Sequence, residues 1–110
     1  MIQYADFEKV DIRVGKIIKV EDVEGLRISC YKMTIDFGEE IGTKVSLGQY
    51  TKNYSKEDLL DRLIMCVVNF EPKKIGQYTS EVLTVGVEDE NGEAILAVPE
   101  REVALGTRMY

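Results

Sequence analysis

From Tyr31 to Phe37 the chain reads Tyr-Lys-Met-Thr-Ile-Asp-Phe, with an apolar residue at every second position. Successive side chains of an extended strand point to opposite faces, so this alternation describes a strand with one dry face and one wet face. Gly38 stops it. Ile12 and Val14, then Ile18 and Val20 beyond an irregularity expected at Gly15-Lys16, give a first strand, and Val45 with Leu47 gives a third that ends near Gly48. Ser55, with Asp58 three positions on, supplies an N-cap and an acidic partner, which predicts a short helix over residues 55–60. The fourth strand is expected at residues 63–70, where an unbroken apolar run suits a strand covered on both faces. The fifth is expected at residues 82–87. In Asp89-Glu90-Asn91-Gly92 an Asn-Gly pair tolerates positive φ at both central turn positions, so residues 94–98 return as a hairpin until Pro99. Ahead of the first strand, Tyr4 and Phe7 sit three apart in what reads as a short helix or arm.

Composition narrows what such a β-rich chain can do. With 110 residues, 45% of them hydrophobic, it has material for one core, so residues 1–110 are expected to form one domain. The 14 basic residues against 20 acidic ones leave a net charge of −6, which argues against tight binding to nucleic acid over the whole surface. Any polyanion needs a local patch. The longest apolar run, residues 63–68, is much too short to span a bilayer, and the N-terminus lacks a basic-then-apolar signal, so a soluble cytoplasmic protein without membrane insertion is expected. Cys30 and Cys66 each lie in an apolar stretch and read as buried free thiols. The chain contains no histidine, which removes the commonest general base and metal ligand. The paired acids Glu39-Glu40, Glu57-Asp58 and Glu88-Asp89-Glu90 read as solvated turns or helix starts, so neither catalysis nor a metal or cofactor is expected.

Against that acidity one stretch stands out: Asn69-Phe70-Glu71-Pro72-Lys73-Lys74-Ile75-Gly76-Gln77-Tyr78-Thr79-Ser80-Glu81-Val82-Leu83. Pro72 lacks an N–H and keeps the following segment off the ladder of the fourth strand, while Lys73, Lys74, Gln77 and Tyr78 offer charge, amide and ring to a partner. Three strands, a helix and two more strands is the order of an OB-fold, a small Greek-key barrel that binds oligomers on its second and third strands and the adjoining loops. A meander or another small barrel fits the pattern too. On the OB plan, residues 21–27 form the loop between strands one and two, and the lysine stretch forms the loop between strands four and five.

Asp11-Ile12-Arg13-Val14-Gly15-Lys16-Ile17, Val45-Ser46, Asn69-Phe70-Glu71-Pro72-Lys73-Lys74-Ile75 and Ser80-Glu81-Val82-Leu83 together resemble the tRNA-binding domain family over nearly the whole chain. That family includes appended domains and beta subunits of methionyl-tRNA synthetase, structure-specific tRNA-binding proteins and the secretion chaperone CsaA. Ile35-Asp36-Phe37-Gly38 and Ser-Glu-Val-Leu look most like CsaA. The resemblance implies an all-β OB-fold homodimer paired through residues 1–10 and 94–110. The partners it implies are tRNA, unfolded or presecretory polypeptides, and a methionyl-tRNA synthetase catalytic subunit. Where tRNA-gripping members often carry Ser-Gln-Gly-Met, this chain has Glu81, whose charge would repel phosphate if it faced the site.

The candidate binding residues are Arg13, Lys16, Ser46, Gln49, Asn69, Lys73, Lys74, Tyr78 and Ser80. Lys73, Lys74 and Arg13 would meet phosphates, and Tyr78 or Asn69 would lie near an exposed base. Ser46 and Gln49 are placed on the strand expected to line the binding face. Each has a structural alternative. Asn69 could tie the loop to the barrel, Arg13 could cap the barrel's edge, and Tyr50, Tyr54 and Tyr78 could be half-buried barrel aromatics as readily as stacking platforms. Lys9, Arg13, Lys16 and Lys19 make a second basic run, although alternating strand positions need not share a face. About four phosphate contacts would give a log-log salt slope of only about −3 to −4.

Overall fold

The computed structural model describes residues 1–110. Its elements run α1 (Tyr4–Glu8), β1 (Ile12–Asp22), β2 (Tyr31–Asp36), β3 (Thr43–Gly48), α2 (Lys56–Leu59), β4 (Leu63–Val67), β5 (Lys73–Ile75), β6 (Tyr78–Ser80), β7 (Leu83–Thr84), β8 (Gly86–Glu88) and β9 (Ala94–Leu96). The main sheet has five strands in the order β3-β2-β1-β4-β7 with every pair antiparallel. Its two outer strands meet. The Ser46 and Thr84 hydroxyls are 2.8 Å apart, and the N–H groups of Glu81 and Val82 reach the Val45 carbonyl at 2.7 and 3.3 Å. The result is the nearly closed five-strand OB barrel, with α2 between β3 and β4.

β1 is long because it serves two partners. Its first half pairs with β4 and its second half with β2, and the register slips between Ile17 and Lys19 rather than at Gly15-Lys16 as expected. Gly15 has a different task. A Cβ there would lie 2.5 Å from Ile35 Cγ2 and 2.7 Å from Phe37 Cε1, so the missing side chain lets the β2 core residues press against β1. Tyr31, Met33, Ile35 and Phe37 all turn inward, as the alternation predicts, and join Ile17, Ile64, Cys66, Val82 and Leu96 in the core. Each such side chain contributes about 1.5–3 kcal/mol by leaving water.

α2 closes one end of the barrel. Ser55 Oγ accepts from the Asp58 N–H at 3.1 Å while Asp58 Oδ2 accepts from the Ser55 N–H at 2.9 Å, the reciprocal capping box the sequence proposed. These bonds also hold the Asp58 carboxyl below its ordinary pKa. The cap directs Leu59 into the core, where it is fully buried. Asp61, at φ +69°, then turns the chain, its N–H reaching the Ile17 carbonyl at 2.8 Å.

Several boundaries differ from the expectation. β4 ends at Val67, with one more ladder-like bond from the N–H of Val68 to the Asp11 carbonyl, short of the Phe70 end expected. The fifth strand is broken at Val85 into β7 on the barrel and β8, which forms a separate hairpin with β9. In that hairpin Gly92 has φ +77° but Asn91 keeps negative φ, because Asp89 Oδ1 accepts from the N–H groups of both Asn91 and Glu93 and shapes a three-residue loop. The Glu93 contact and the Asn53 amide lower the Asp89 pKa. Cys66 is buried, whereas Cys30 precedes β2 and is only half-buried. The C-terminal segment runs beside β1, with the N–H groups of Gly106 and Met109 on the Val14 and Ile12 carbonyls at 2.8 Å each. No helix is long and apolar enough to cross a membrane.

Candidate nucleic-acid interface

The lysine stretch is not an open loop but a small hairpin. β5 and β6 pair Lys73 with Ser80, Lys74 with Thr79 and Ile75 with Tyr78. Gly76, at φ +60°, is the first of two turn residues, the position a type II′ turn reserves for glycine. Pro72 ends the preceding segment and leaves β5 free of the β4 ladder. Alternation along β5 sends Lys73 and Ile75 to one face of the hairpin and Lys74 to the other. Both lysines are exposed and neither has an acidic side chain within ion-pair distance.

After β6 the chain straps the hairpin onto β3. Ser80 Oγ accepts from the Leu47 N–H at 3.1 Å and donates to the Val82 carbonyl at 3.1 Å, and Glu81 Oε1 accepts from the Val45 N–H at 2.9 Å. Glu81 thus satisfies an edge-strand donor that barrel closure would otherwise leave unpaired. The hairpin and strap overhang a groove of about 500 Å³ whose walls include Phe70, Lys73, Ile75, Leu83, Leu47 and Gln49. It is half apolar, with Phe70 55% and Leu83 49% exposed. On the other side lies a polar recess of about 350 Å³ holding Lys32, Gln77, Tyr78 and Thr79.

Only part of the expected site is gathered here. Lys73, Lys74, Gln49, Tyr78 and Ser80 lie on the hairpin or its groove, although the Ser80 hydroxyl is spent on the strap. Ser46 does not. The β2–β3 register sets it beside Met33, which turns inward, so its hydroxyl is buried against Thr84; Val45 and Leu47 take the outer face instead. Arg13 is also withdrawn, since Nε and Nη2 grip Asp11 at 2.6 and 3.3 Å and Nη1 donates to the Gly106 carbonyl at 3.0 Å. The Asp11 hydrogen bond raises the guanidinium pKa further. Asn69 is a bracket, accepting from the Asp11 N–H at 3.0 Å and donating to the Lys9 carbonyl at 2.8 Å. Lys16 lines a separate recess with Asp61, Arg62 and Glu100. Of the second basic run, Lys9 pairs with Asp6 and Lys19 with Glu21, which removes it as a free patch.

The tyrosines divide similarly. Tyr50 is buried, its hydroxyl donating to the Thr84 carbonyl at 3.3 Å, and burial pushes its pKa up to about 12. Tyr54 packs edge-on against Tyr50 at 6.1 Å and accepts from the Leu96 N–H. Neither is a stacking platform. Two contributors escaped the sequence reading: Lys32, whose outward position on β2 follows from the same alternation that buries Met33, and Phe70, whose exposure carries no sequence signal.

Residues 12–108 match the family described as "Putative tRNA binding domain". The chain belongs to this family. Among curated proteins it is similar to the methionine–tRNA ligase of Thermococcus onnurineus, 36% identical over 98% of this chain and 14% of that protein. The chain therefore spans about a seventh of the length of such relatives. Among solved structures, the CsaA chaperone protein from Picrophilus torridus superposes with TM-score 0.94 at 42% identity, covering all of both chains. A protein related to methionyl-tRNA synthetase from Pyrococcus horikoshii gives TM-score 0.87 at 25% identity, covering 100% of this chain and 98% of that one. On the face of this domain that carries the β5–β6 hairpin, free lysines project beside a groove with apolar and hydrogen-bonding walls.

Proposed function

We propose that this tRNA-binding domain is a non-catalytic cytoplasmic module that holds tRNA on the β5–β6 hairpin. Lys73 and Lys74 contact phosphates, while Gln49 and the exposed ring of Phe70 meet the chain of nucleotides from the groove side. The observation that carries this reading is the pair of unpartnered, exposed lysines on the hairpin of a family member whose net charge is −6. Charge there is local, and so is the binding. Residues 1–110 act as one domain, two copies form a homodimer through the terminal segments, and a methionyl-tRNA synthetase catalytic subunit is a further partner. Exposed Tyr4, Val98, Val103 and Tyr110 on those segments support pairing with a second copy.

A second reading has its own support. The groove exposes Phe70 and Leu83 with almost no free charge besides Lys73 and Glu71, and the CsaA likeness covers the full chain, so an unfolded or presecretory polypeptide fits there as a chaperone's client. The two readings separate in a salt series run with tRNA and an unfolded export substrate side by side. The tRNA reading expects tRNA affinity to fall with salt at a log-log slope of about −2 to −3, and weak binding of the polypeptide. Tight, salt-insensitive polypeptide binding with no measurable tRNA affinity sinks it in favour of the chaperone.

A further inference from the structure

The loop between β1 and β2 is locked onto the tip of the lysine hairpin. Tyr78, on β6, accepts at its hydroxyl from the backbone N–H of Glu24 at 3.1 Å and from Gln77 Nε2 at 3.2 Å. Beside it the Leu26 side chain packs on Gly76, so tightly that a Cβ at Gly76 would lie 2.6 Å from Leu26 Cδ2. At its far end the loop is pinned again, by Thr51 Oγ1 donating to Ser29 Oγ at 2.9 Å. The charges at the loop's base are already taken, Glu21 by Lys19 and Lys32 and Asp22 by Lys56 at 2.6 Å. Arg27, next in the chain to Leu26, is exposed and has no acidic partner.

The two loops beside the second and third strands of an OB-fold bind together as one composite surface; we propose that Arg27 is a further phosphate contact on it and that the Tyr78 hydroxyl is the latch that positions Arg27 against the hairpin. The inference rests on the tRNA reading and adds a residue and a mechanism to it. A hydroxyl engaged with a backbone N–H serves the surface by fixing the loop. Without the latch, Arg27 rides on a loop held only by Leu26 packed on Gly76 and by Ser29, and part of the entropy of ordering that loop falls on the binding step. Glu24, the loop's unpaired acid, opposes Arg27, so the surface depends on how the loop is held.

The experiment measures tRNA affinity from 0.05 to about 0.5 M salt for the full chain, Arg27→Ala, Tyr78→Phe, the double variant, and Lys73→Ala with Lys74→Ala. One lost phosphate contact lowers the log-log salt slope by about 1 and the affinity at 0.1 M salt by about eightfold. Arg27→Ala is expected to do this. Tyr78→Phe is expected to lose part of the same slope with its thermal midpoint held, and to cost nothing further in the Arg27→Ala background. An unchanged slope in Arg27→Ala, or additive losses in the double variant, overturns the inference. If the lysine variant binds tRNA less well while Arg27→Ala does not, the tRNA reading stands and the Arg27 contact alone falls; if neither changes binding, both fall.

Discussion

Glu81 gives the sharpest test of how the hairpin is held. In a site for tRNA an acid at this position looks like an error, yet its Oε1 accepts the Val45 N–H at 2.9 Å and its own N–H reaches the Val45 carbonyl. Replacing it by alanine leaves that edge-strand donor without an acceptor. A hydrogen bond to a charged group contributes about 1.5–3 kcal/mol, and partial exposure puts this one near the low end, so Glu81→Ala should cost about 2 kcal/mol. For a chain of 110 residues the unfolding entropy is about 0.23 kcal/mol per degree, so the thermal midpoint should fall by about 9 °C. Glutamine keeps a carbonyl oxygen at the same reach. Glu81→Gln should therefore lose about half as much, and, by removing a negative charge from the groove wall, should raise tRNA affinity at low salt. The assay is thermal unfolding followed by circular dichroism, with binding measured below the transition. If glutamine proves as damaging as alanine, or alanine leaves the midpoint within about 1 °C of the parent, the strap is not what closes the barrel edge.

Two further predictions concern residues away from the groove. Arg13→Ala breaks the contacts to Asp11 and to the Gly106 carbonyl, so it should destabilise the protein by about 2 kcal/mol while leaving the tRNA salt slope unchanged; a slope lowered by about 1 would return Arg13 to the binding surface. Burial pushes the Cys66 thiol from 9.0 up to about 12, so above pH 9 the unfolded chain sheds a proton that the folded chain keeps, and stability falls as pH rises toward 12. Cys66→Ala should shrink the part of that decline that begins near pH 9, leaving the share of half-buried Cys30, whose thiol pKa is also raised by burial, and the part from Tyr50, which begins near its ordinary 10.0. Identical pH profiles for variant and parent would contradict it.

The alternation from Tyr31 to Phe37 specified β2 and its inward face, and the Ser55–Asp58 pair specified α2, because each signal is complete within a few residues. β3 was legible as a strand but not in its facing. Ser46 is expected from the sequence on the strand lining the binding face; in the fold Val45 and Leu47 point outward beneath the strap from Ser80 to Val82, while Ser46 meets Thr84 inside. Arg13 and Asn69 show the same limit. Arg13 meets Asp11 two residues away but also the Gly106 carbonyl 93 residues away, Asn69 meets Asp11 58 residues away, and no local pattern reports the two distant meetings. The hairpin was legible in its residues and not in its form, since a proline, two lysines and a glycine suit an open loop as well as a two-residue turn between three-residue strands. What made Lys73 and Lys74 identifiable was their contrast with an acidic chain; what leaves them free is the commitment of neighbouring Glu81 to β3.

The central claim is that these two lysines carry most of the electrostatic part of tRNA binding. Affinity of the full chain for tRNA, compared with that of Lys73→Ala with Lys74→Ala across a salt series, tests it directly. The double substitution should lower the slope magnitude by about 2 and the affinity at 0.1 M salt by roughly 60-fold, with the two proteins converging toward 1 M. Equal slopes and equal affinities at every salt concentration would contradict the assignment of tRNA to the β5–β6 hairpin.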